Sequence, residues 1–223
     1  MNLQNQTVND ACSIRVRALA GREEELSALL RSAATLVRET EAQTLQWTAV
    51  REAQRDFRIV DFFANEEGRN AHFAGQVAAA LKVQAPTLVQ GDWEHGVVAN
   101  IQNARVLSHV VRERTVTASA CLASHITIKA RESKEAELAT LLTQGARIVE
   151  QNGLGTLLWY ALQLDDYNFA IYDVFSSEQA REAHFSGQVA QALKARAEAL
   201  IEGGWQNGVL KNIVHSEVLS ATF

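Results

Sequence analysis

Apolar and polar residues follow the same succession of patterns twice along the chain. Short runs alternate with period two, as half-buried strands do, and longer runs place apolar residues at helical spacing. Each copy therefore predicts the order strand, helix, strand, strand, helix, strand. In the first copy these elements span residues 12–19, 21–40, 44–52, 57–64, 65–85 and 93–108. In the second copy they span residues 124–131, 133–152, 156–164, 169–176, 177–197 and 205–220.

The two copies are a sequence repeat. Shifting the 223-residue chain by 112 positions aligns residues 11–111 with residues 123–223 without a gap, and 41 of the 101 aligned positions are identical. A period of this length is too long for a solenoid unit, so each copy should hold its own elements. We expect two domains, 11–111 and 123–223, joined by a linker at 112–122 and preceded by a polar tail at 1–10.

The order of elements predicts an α+β fold. A β-α-β-β-α-β unit is the split βαβ, or ferredoxin-like, arrangement, whose antiparallel sheet has helices on one face only. The other face has to be covered, and a second copy of the same sheet would cover it. Fusing two copies makes that pairing intramolecular. We therefore expect two tandem ferredoxin-like domains that pack sheet against sheet as a pseudo-twofold unit, while association into a further homodimer stays open.

Composition and charge exclude several classes of function. The net charge of −5 and the lack of any Lys/Arg-rich run argue against a nucleic-acid partner. No apolar segment reaches the length of a membrane span, and the N-terminus does not resemble a signal peptide, so we expect a cytoplasmic protein without a membrane partner. Cys12 and Cys121 lie outside metal-ligand spacings, and no glycine-rich phosphate loop occurs. We therefore expect no metal and no cofactor.

Two segments carry a resemblance to a known family. The strands "FRIVDFF" and "FAIYDVF", each followed by an acidic turn and then by "RNAHFAGQVAAAL" or "REAHFSGQVAQAL", resemble the antibiotic-biosynthesis-monooxygenase family. That resemblance implies a dimeric α/β barrel, here built by tandem duplication, with a pocket between sheet and helices. Some members oxidise polycyclic aromatic phenols with O₂ and without metal or flavin, and others degrade haem. The implied activity is a cofactor-independent monooxygenase whose partners are a small aromatic or quinol compound and O₂.

His72 and His184 are the first candidates for catalysis. A histidine can move protons near neutral pH, and a phenol must lose a proton before O₂ can take an electron from it. We expect each in the opening turns of a long helix, where the dipole and burial favour the neutral form. Gly75 and Gly187, three residues after each histidine, are unfavourable inside a helix and predict either a break between two short helices or a close helix–sheet approach. Asp61 and Asp173, on the strand before that helix, are the predicted partners of these histidines, because a carboxylate among apolar side chains needs one.

Six further residues are candidates for substrate binding. Indole rings can line an aromatic pocket, guanidinium groups can pair with the buried carboxylates, and amides can orient a carbonyl group. These residues are Trp47, Trp159, Arg69, Arg181, Asn100 and Asn212.

Two alternatives to the monooxygenase remain at this stage. All of these side chains could be structural, which would make the chain a non-catalytic, ligand-binding or structural barrel. Haem is the weaker alternative, since haem-degrading relatives use the helix histidine as iron ligand. Those relatives also place an asparagine on the first strand, where this chain has "SIRVRA" and "HITIKA".

Overall fold

A computed structural model describes residues 7–112, 121–153 and 155–222. The first repeat contains β1 (Asp10–Arg17), α1 (Glu23–Thr40), β2 (Thr44–Arg51), β3 (Asp56–Phe63), α2 (Glu66–Phe73), α3 (Gln76–Leu88), α4 (Asp92–Gly96) and β4 (Ile101–Val111). The second contains β5 (Leu122–Lys129), α5 (Glu135–Asn152), β6 (Thr156–Gln163), β7 (Asn168–Phe175), α6 (Glu178–Ser186), α7 (Gln188–Leu200) and β8 (Ile213–Ala221). The α+β class and the tandem ferredoxin-like order are as predicted.

The chain divides into two compact units that do not coincide with the sequence repeats. The N-terminal unit is Thr7–Ala104 together with the end of the chain from Ser216, and the C-terminal unit lies within Arg105–His215. Most of the predicted linker, residues 113–120, and most of the predicted tail, residues 1–6, lie outside the described residues.

The units differ from the repeats because each sheet takes a strand from the other repeat. The N-terminal unit has the antiparallel order β1-β3-β2-β8, and the C-terminal unit has β5-β7-β6-β4. Thus β8 extends the sheet beside β2, where Trp47 N donates to Thr222 Oγ1 over 2.9 Å. The boundaries 11–111 and 123–223 describe the repeat in the sequence. In the structure the last strand of each repeat belongs to the sheet of the other unit.

One face of each sheet packs against helices. In the N-terminal unit Phe57, Ile59 and Phe63 share a face of β3 and belong to the same core cluster as Trp47 and the apolar side of α1. The corresponding row of β7, with Phe169 and Ile171, lies in the core cluster of the C-terminal unit. Asp61 and Asp173 have the same parity on these strands, so both carboxylates lie on the helix-covered face.

The segments before the last strands differ from the expectation. Residues 93–100 and 205–212 were expected to be strand, but the structure has α4 and the 3-10 helix Val98–Asn100 in one copy, and the π-helix Gly204–Val209 and the 3-10 helix Leu210–Asn212 in the other. Gly91 and Gly203 turn the chain with φ of 88° and 80°, which glycine adopts without strain. Among the described residues no helix has the length and apolarity to cross a membrane.

Candidate functional site

A glycine ends the first of two short helices and places each histidine near a helix C-terminus. The backbone of Gly75 is extended and begins α3, so α2 stops at Phe73 and His72 lies in its last turn. Gly187 separates α6 from α7 in the same way, with His184 in the last turn of α6. The predicted break at these glycines is confirmed, but the expected position of the histidines in opening turns was wrong. The negative end of the dipole therefore faces each ring.

In the N-terminal unit His72 lies between two carboxylates. Its Nδ1 is 2.5 Å from Glu41 Oε2 and 3.3 Å from Thr44 Oγ1, and its Nε2 is 3.7 Å from Asp61 Oδ2. The residue is buried, with 4% of its surface exposed. The predicted neighbour Asp61 is present at the ring, but 3.7 Å is beyond hydrogen-bonding distance. The short contact goes instead to Glu41, which sequence reasoning missed.

Three donors hold the Glu41 carboxylate at the start of α3. Oε2 contacts His72 Nδ1 and accepts from Thr44 Oγ1 at 3.4 Å, and Oε1 accepts from Val77 N at 3.1 Å. A Cβ at Gly75 would lie 2.5 Å from Oε1. The glycine is therefore needed for the close approach of this carboxylate as well as for the helix break.

These contacts shift the pKa values of the N-terminal site. Burial would lower the pKa of His72, but the charges of Asp61 and Glu41 and the hydrogen bond to Glu41 raise it above its ordinary value. Burial raises the pKa of Glu41, while the hydrogen bond and charge of His72 bring it below its ordinary value. Burial raises the pKa of Asp61 to about 7, against an opposing effect of His72. The two carboxylates thus favour the charged form of His72, and His72 in turn favours the ionised form of Glu41.

The C-terminal unit repeats the histidine but lacks the glutamate. His184 Nδ1 is 3.1 Å from Thr156 Oγ1, and Nε2 is 3.7 Å from Asp173 Oδ1. Gly153 occupies the position that aligns with Glu41. Burial, with no opposing charge, lowers the pKa of His184 to about 4 and raises that of Asp173 well above its ordinary value. Near neutral pH His184 is therefore a neutral imidazole, in contrast to His72.

The two buried aspartates have equivalent register partners on the neighbouring strands. Asp61 pairs in register with Cys12 on β1 and Trp47 on β2, and Asp173 pairs with Ser124 and Trp159. The carboxylate oxygens of both aspartates have no hydrogen-bond partner among the described residues. A carboxyl group without donors is costly to ionise in such surroundings.

Two cavities border the His184 ring, one on each side. A cavity of about 30 Å³ is lined by Asp173, His184 and Trp159 together with apolar side chains of α7 and of β7. A cleft of about 170 Å³ lies on the other side, bordered by His184, Thr156 and Gly153 and by the start of α7. The first is about the size of one water molecule.

An apolar cleft of the N-terminal unit lies apart from its histidine. It has a volume of about 460 Å³ and lies between α1 and α3 over Ile59, lined mainly by leucine, alanine and valine side chains. Asp61 is fully buried two residues further along β3. This cleft is apolar and large enough for a small ligand, but its lining contains neither His72 nor Asp61.

The predicted arginine and asparagine candidates have local partners instead. Arg69 Nη1 donates to both oxygens of Asp10, at 2.8 and 2.7 Å, and Arg181 pairs with Glu178. Asn100 Nδ2 donates to Gly96 O and Asn212 Nδ2 to Gly208 O, each at 3.0 Å. The asparagines end 3-10 helices and do not lie on the last strands as expected. Each of the four side chains thus has a partner within the protein, and a part in substrate binding stays a prediction.

The described donor groups do not fit a metal ion or haem. Within residues 7–112, 121–153 and 155–222 no group of three His, Cys, Asp or Glu side chains could hold a metal ion. His72 has a carboxylate beside each ring nitrogen, and the cavity beside His184 Nε2 has a volume of about 30 Å³. Neither imidazole presents a nitrogen to a space that could take a haem.

Solved structures share this fold along the whole chain. A candidate monooxygenase from Fusobacterium nucleatum matches with a TM-score of 0.75 and 16% identity over 96% of this chain and 94% of its own. An anthrone oxidase-like protein matches with a TM-score of 0.56 and 11% identity, over 99% and 94%. At these identities the likeness concerns the fold.

A third solved structure is closer in sequence. A protein of unknown function from Nitrosomonas europaea is 32% identical to this chain over 50% of its length; the match covers 99% of the Nitrosomonas protein, with a TM-score of 0.43. No protein-family model matches the chain, and no curated protein does.

Proposed function

We propose that this chain, a tandem duplication of the ferredoxin fold seen in antibiotic-biosynthesis-monooxygenase-like proteins, is a cofactor-independent monooxygenase of small aromatic or quinol compounds. It belongs to the same family as the Nitrosomonas europaea protein, whose function is unknown. Proteins with the same fold are described as a candidate monooxygenase and as anthrone oxidase-like, and these descriptions support the reaction class.

The observation that carries the proposal is the neutral imidazole at a cavity in the C-terminal unit. His184 Nε2 faces the space lined by Asp173, Trp159 and Phe185, and burial keeps the ring unprotonated. A general base must be unprotonated before it acts. His72 is less suited to this role, because the charges of Asp61 and Glu41 raise its pKa and favour its charged form. The reaction is therefore assigned to the C-terminal unit.

The proposed reaction balances with O₂ as the only co-reactant. His184 Nε2 accepts the proton of the substrate hydroxyl group, and the resulting anion gives one electron to O₂. The substrate radical and superoxide join to a hydroperoxide at the ring carbon, and loss of water leaves a carbonyl group. A methylene carbon and O₂ thus become a carbonyl and water. His184 Nε2 returns its proton to the peroxide oxygen before water is lost. Asp173 lies 3.7 Å from Nε2, beyond hydrogen-bonding distance, and lines the same cavity.

The size of the cavity sets a condition on this mechanism. About 30 Å³ accommodates O₂ or one water and not an aromatic ring. Val189, Ala190 and Leu193 of α7 cover the cavity. A ring therefore reaches His184 Nε2 only if this cavity widens. Its walls include α7, which begins after Gly187, and the side chains of Phe185 and Trp205.

Oxygen uptake by the metal-free protein with anthrone tests the proposal. Replacing His184 with glutamine is expected to lower kcat by about 100-fold or more, the usual contribution of a positioned base. The matched His72→Gln variant is expected to keep kcat within a few-fold, because that ring only holds the fold. Equal losses in the two variants, or uptake that requires an added metal or flavin, would contradict the assignment.

Non-catalytic ligand binding is a second candidate, favoured by the apolar cleft of about 460 Å³ in the N-terminal unit. This volume lies in the ordinary range of small-molecule sites. Measuring anthraquinone binding and oxygen uptake on the same metal-free protein distinguishes the two functions. Binding of anthraquinone without any oxygen uptake from anthrone would support the second and remove the first.

A further inference from the structure

The cleft of about 170 Å³ beside His184 lies where the first repeat places a carboxylate. Its borders include Gly153, Thr156, His184 and Val189. The 112-residue shift aligns these residues with Glu41, Thr44, His72 and Val77. Three of the four positions have the same residue in both copies. Only the glutamate has been replaced, by a residue without a side chain.

The N-terminal unit shows what those three positions bind. His72 Nδ1, Thr44 Oγ1 and Val77 N lie 2.5, 3.4 and 3.1 Å from the oxygens of the Glu41 carboxylate. The equivalent groups in the C-terminal unit border an open space. His184 Nδ1 and Thr156 Oγ1 are 3.1 Å apart at its wall. Val189 lies in the first turn of α7, a 13-residue helix whose first N–H groups have no partner within the helix.

We propose that this cleft binds a small organic carboxylate, in the place that the Glu41 side chain fills in the other repeat. One oxygen would accept from the N–H of Val189, and the other from His184 Nδ1 and Thr156 Oγ1. The remainder of the ligand would extend past Gly153 toward Asn152 and Gln188, whose side chains bond at 3.3 Å at the edge of the cleft. A Cβ at Gly153 would lie 2.8 Å from Val149 O and 3.3 Å from Thr156 Oγ1.

The ligand class follows from the charges that this site lacks. In the N-terminal unit the Glu41 carboxylate contacts Nδ1 and favours the charged imidazole. In the C-terminal unit Asp173 is the one acid within 4 Å of the ring among the described residues, and it lies on the opposite nitrogen. A carboxylate ligand supplies the missing partner, whereas an amide of the same shape supplies the hydrogen bond without the charge. This inference concerns binding alone and does not depend on the proposed oxygenase reaction.

Calorimetric titration with propionate, beside propionamide, tests the site in the full chain. The native protein is expected to bind one propionate, and propionamide at least ten-fold more weakly. Gly153→Glu places the carboxylate of the first repeat in the cleft and is expected to abolish binding. Glu41→Gly removes it from the first repeat and is expected to create a second site, which raises the stoichiometry to two.

A second variant keeps the test valid if the added glutamate disturbs folding. Ala183 is exposed on α6 at the border of the cleft, so Ala183→Leu fills the entrance without burying a charge. It is expected to lower propionate affinity at least ten-fold, while Ala136→Leu, on α5 and outside the cleft lining, leaves it unchanged. Absence of binding to the native protein, or equal binding of propionate by native, Gly153→Glu and Ala183→Leu proteins, would overturn the proposal.

Discussion

Replacing Glu41 with glutamine is expected to lower the free energy of unfolding at pH 7 by about 3 kcal/mol, the low end of the cost of removing one partner from a buried ion pair. The Glu41 and His72 side chains are 6% and 5% exposed. Glutamine keeps an oxygen for Val77 N but loses the charge that stabilises the imidazolium. Urea unfolding followed by circular dichroism measures the change.

The matched control is Glu39→Gln, an exposed position on the same helix. A surface change of this kind is expected to alter stability by no more than about 0.5 kcal/mol. If Glu41→Gln were as mild as this control, the short contact between Glu41 and His72 would not be a stabilising pair.

Replacing Asp61 with asparagine is expected to raise the free energy of unfolding, by an amount that depends on pH. The pKa of Asp61 is raised from 3.8 to about 7 in the folded protein. A raised pKa means that the folded state binds the proton more tightly. The contribution of this group to stability is therefore complete below pH 3.8 and is lost as pH rises through about 7. Three pKa units correspond to about 4 kcal/mol above pH 8.

The asparagine variant removes this loss because its amide does not ionise. Its free energy of unfolding is expected to exceed that of the native protein by up to about 4 kcal/mol at pH 9, and to match it within about 1 kcal/mol at pH 4. Unfolding in urea at both pH values measures this, with the exposed Asp166→Asn as control. A variant less stable than the native protein at pH 9 would show that ionised Asp61 supports the fold.

Much of the architecture could be predicted from the sequence because each hydrophobic pattern occurs twice, once in each repeat. The alternation of β3 and β7 placed Asp61 and Asp173 on the row that packs against helices, and the glycines after each histidine marked the helix breaks. The partner of the last strand could not be predicted. An alternating strand has the same apolar face whether it extends its own sheet or that of the other repeat, so its pattern contains no information about which sheet it joins.

The candidate site was predicted in part for a related reason. Comparison of the repeats drew attention to positions that are identical in both, such as His72 and His184. The decisive contact comes from Glu41, which differs from its counterpart Gly153. The sequence does show that a glutamate in the first repeat aligns with a glycine in the second, at the end of the first helix. Only the folded chain shows that the Glu41 carboxylate contacts His72. It also reverses the expectation that His72 is neutral.

The two histidines differ in pKa although they occupy the same place in the two repeats: the pKa of His72 is raised and that of His184 is lowered to about 4. NMR titration of the histidine ring protons tests it directly, with His72→Gln and His184→Gln to assign the signals. His72 is expected to titrate above the ordinary value of 6.5, and His184 near 4. Gly153→Glu is expected to move the His184 signal upward and leave His72 unchanged. Two histidines that titrate at the same pH, unmoved by the new glutamate, would contradict the divergence of the two sites.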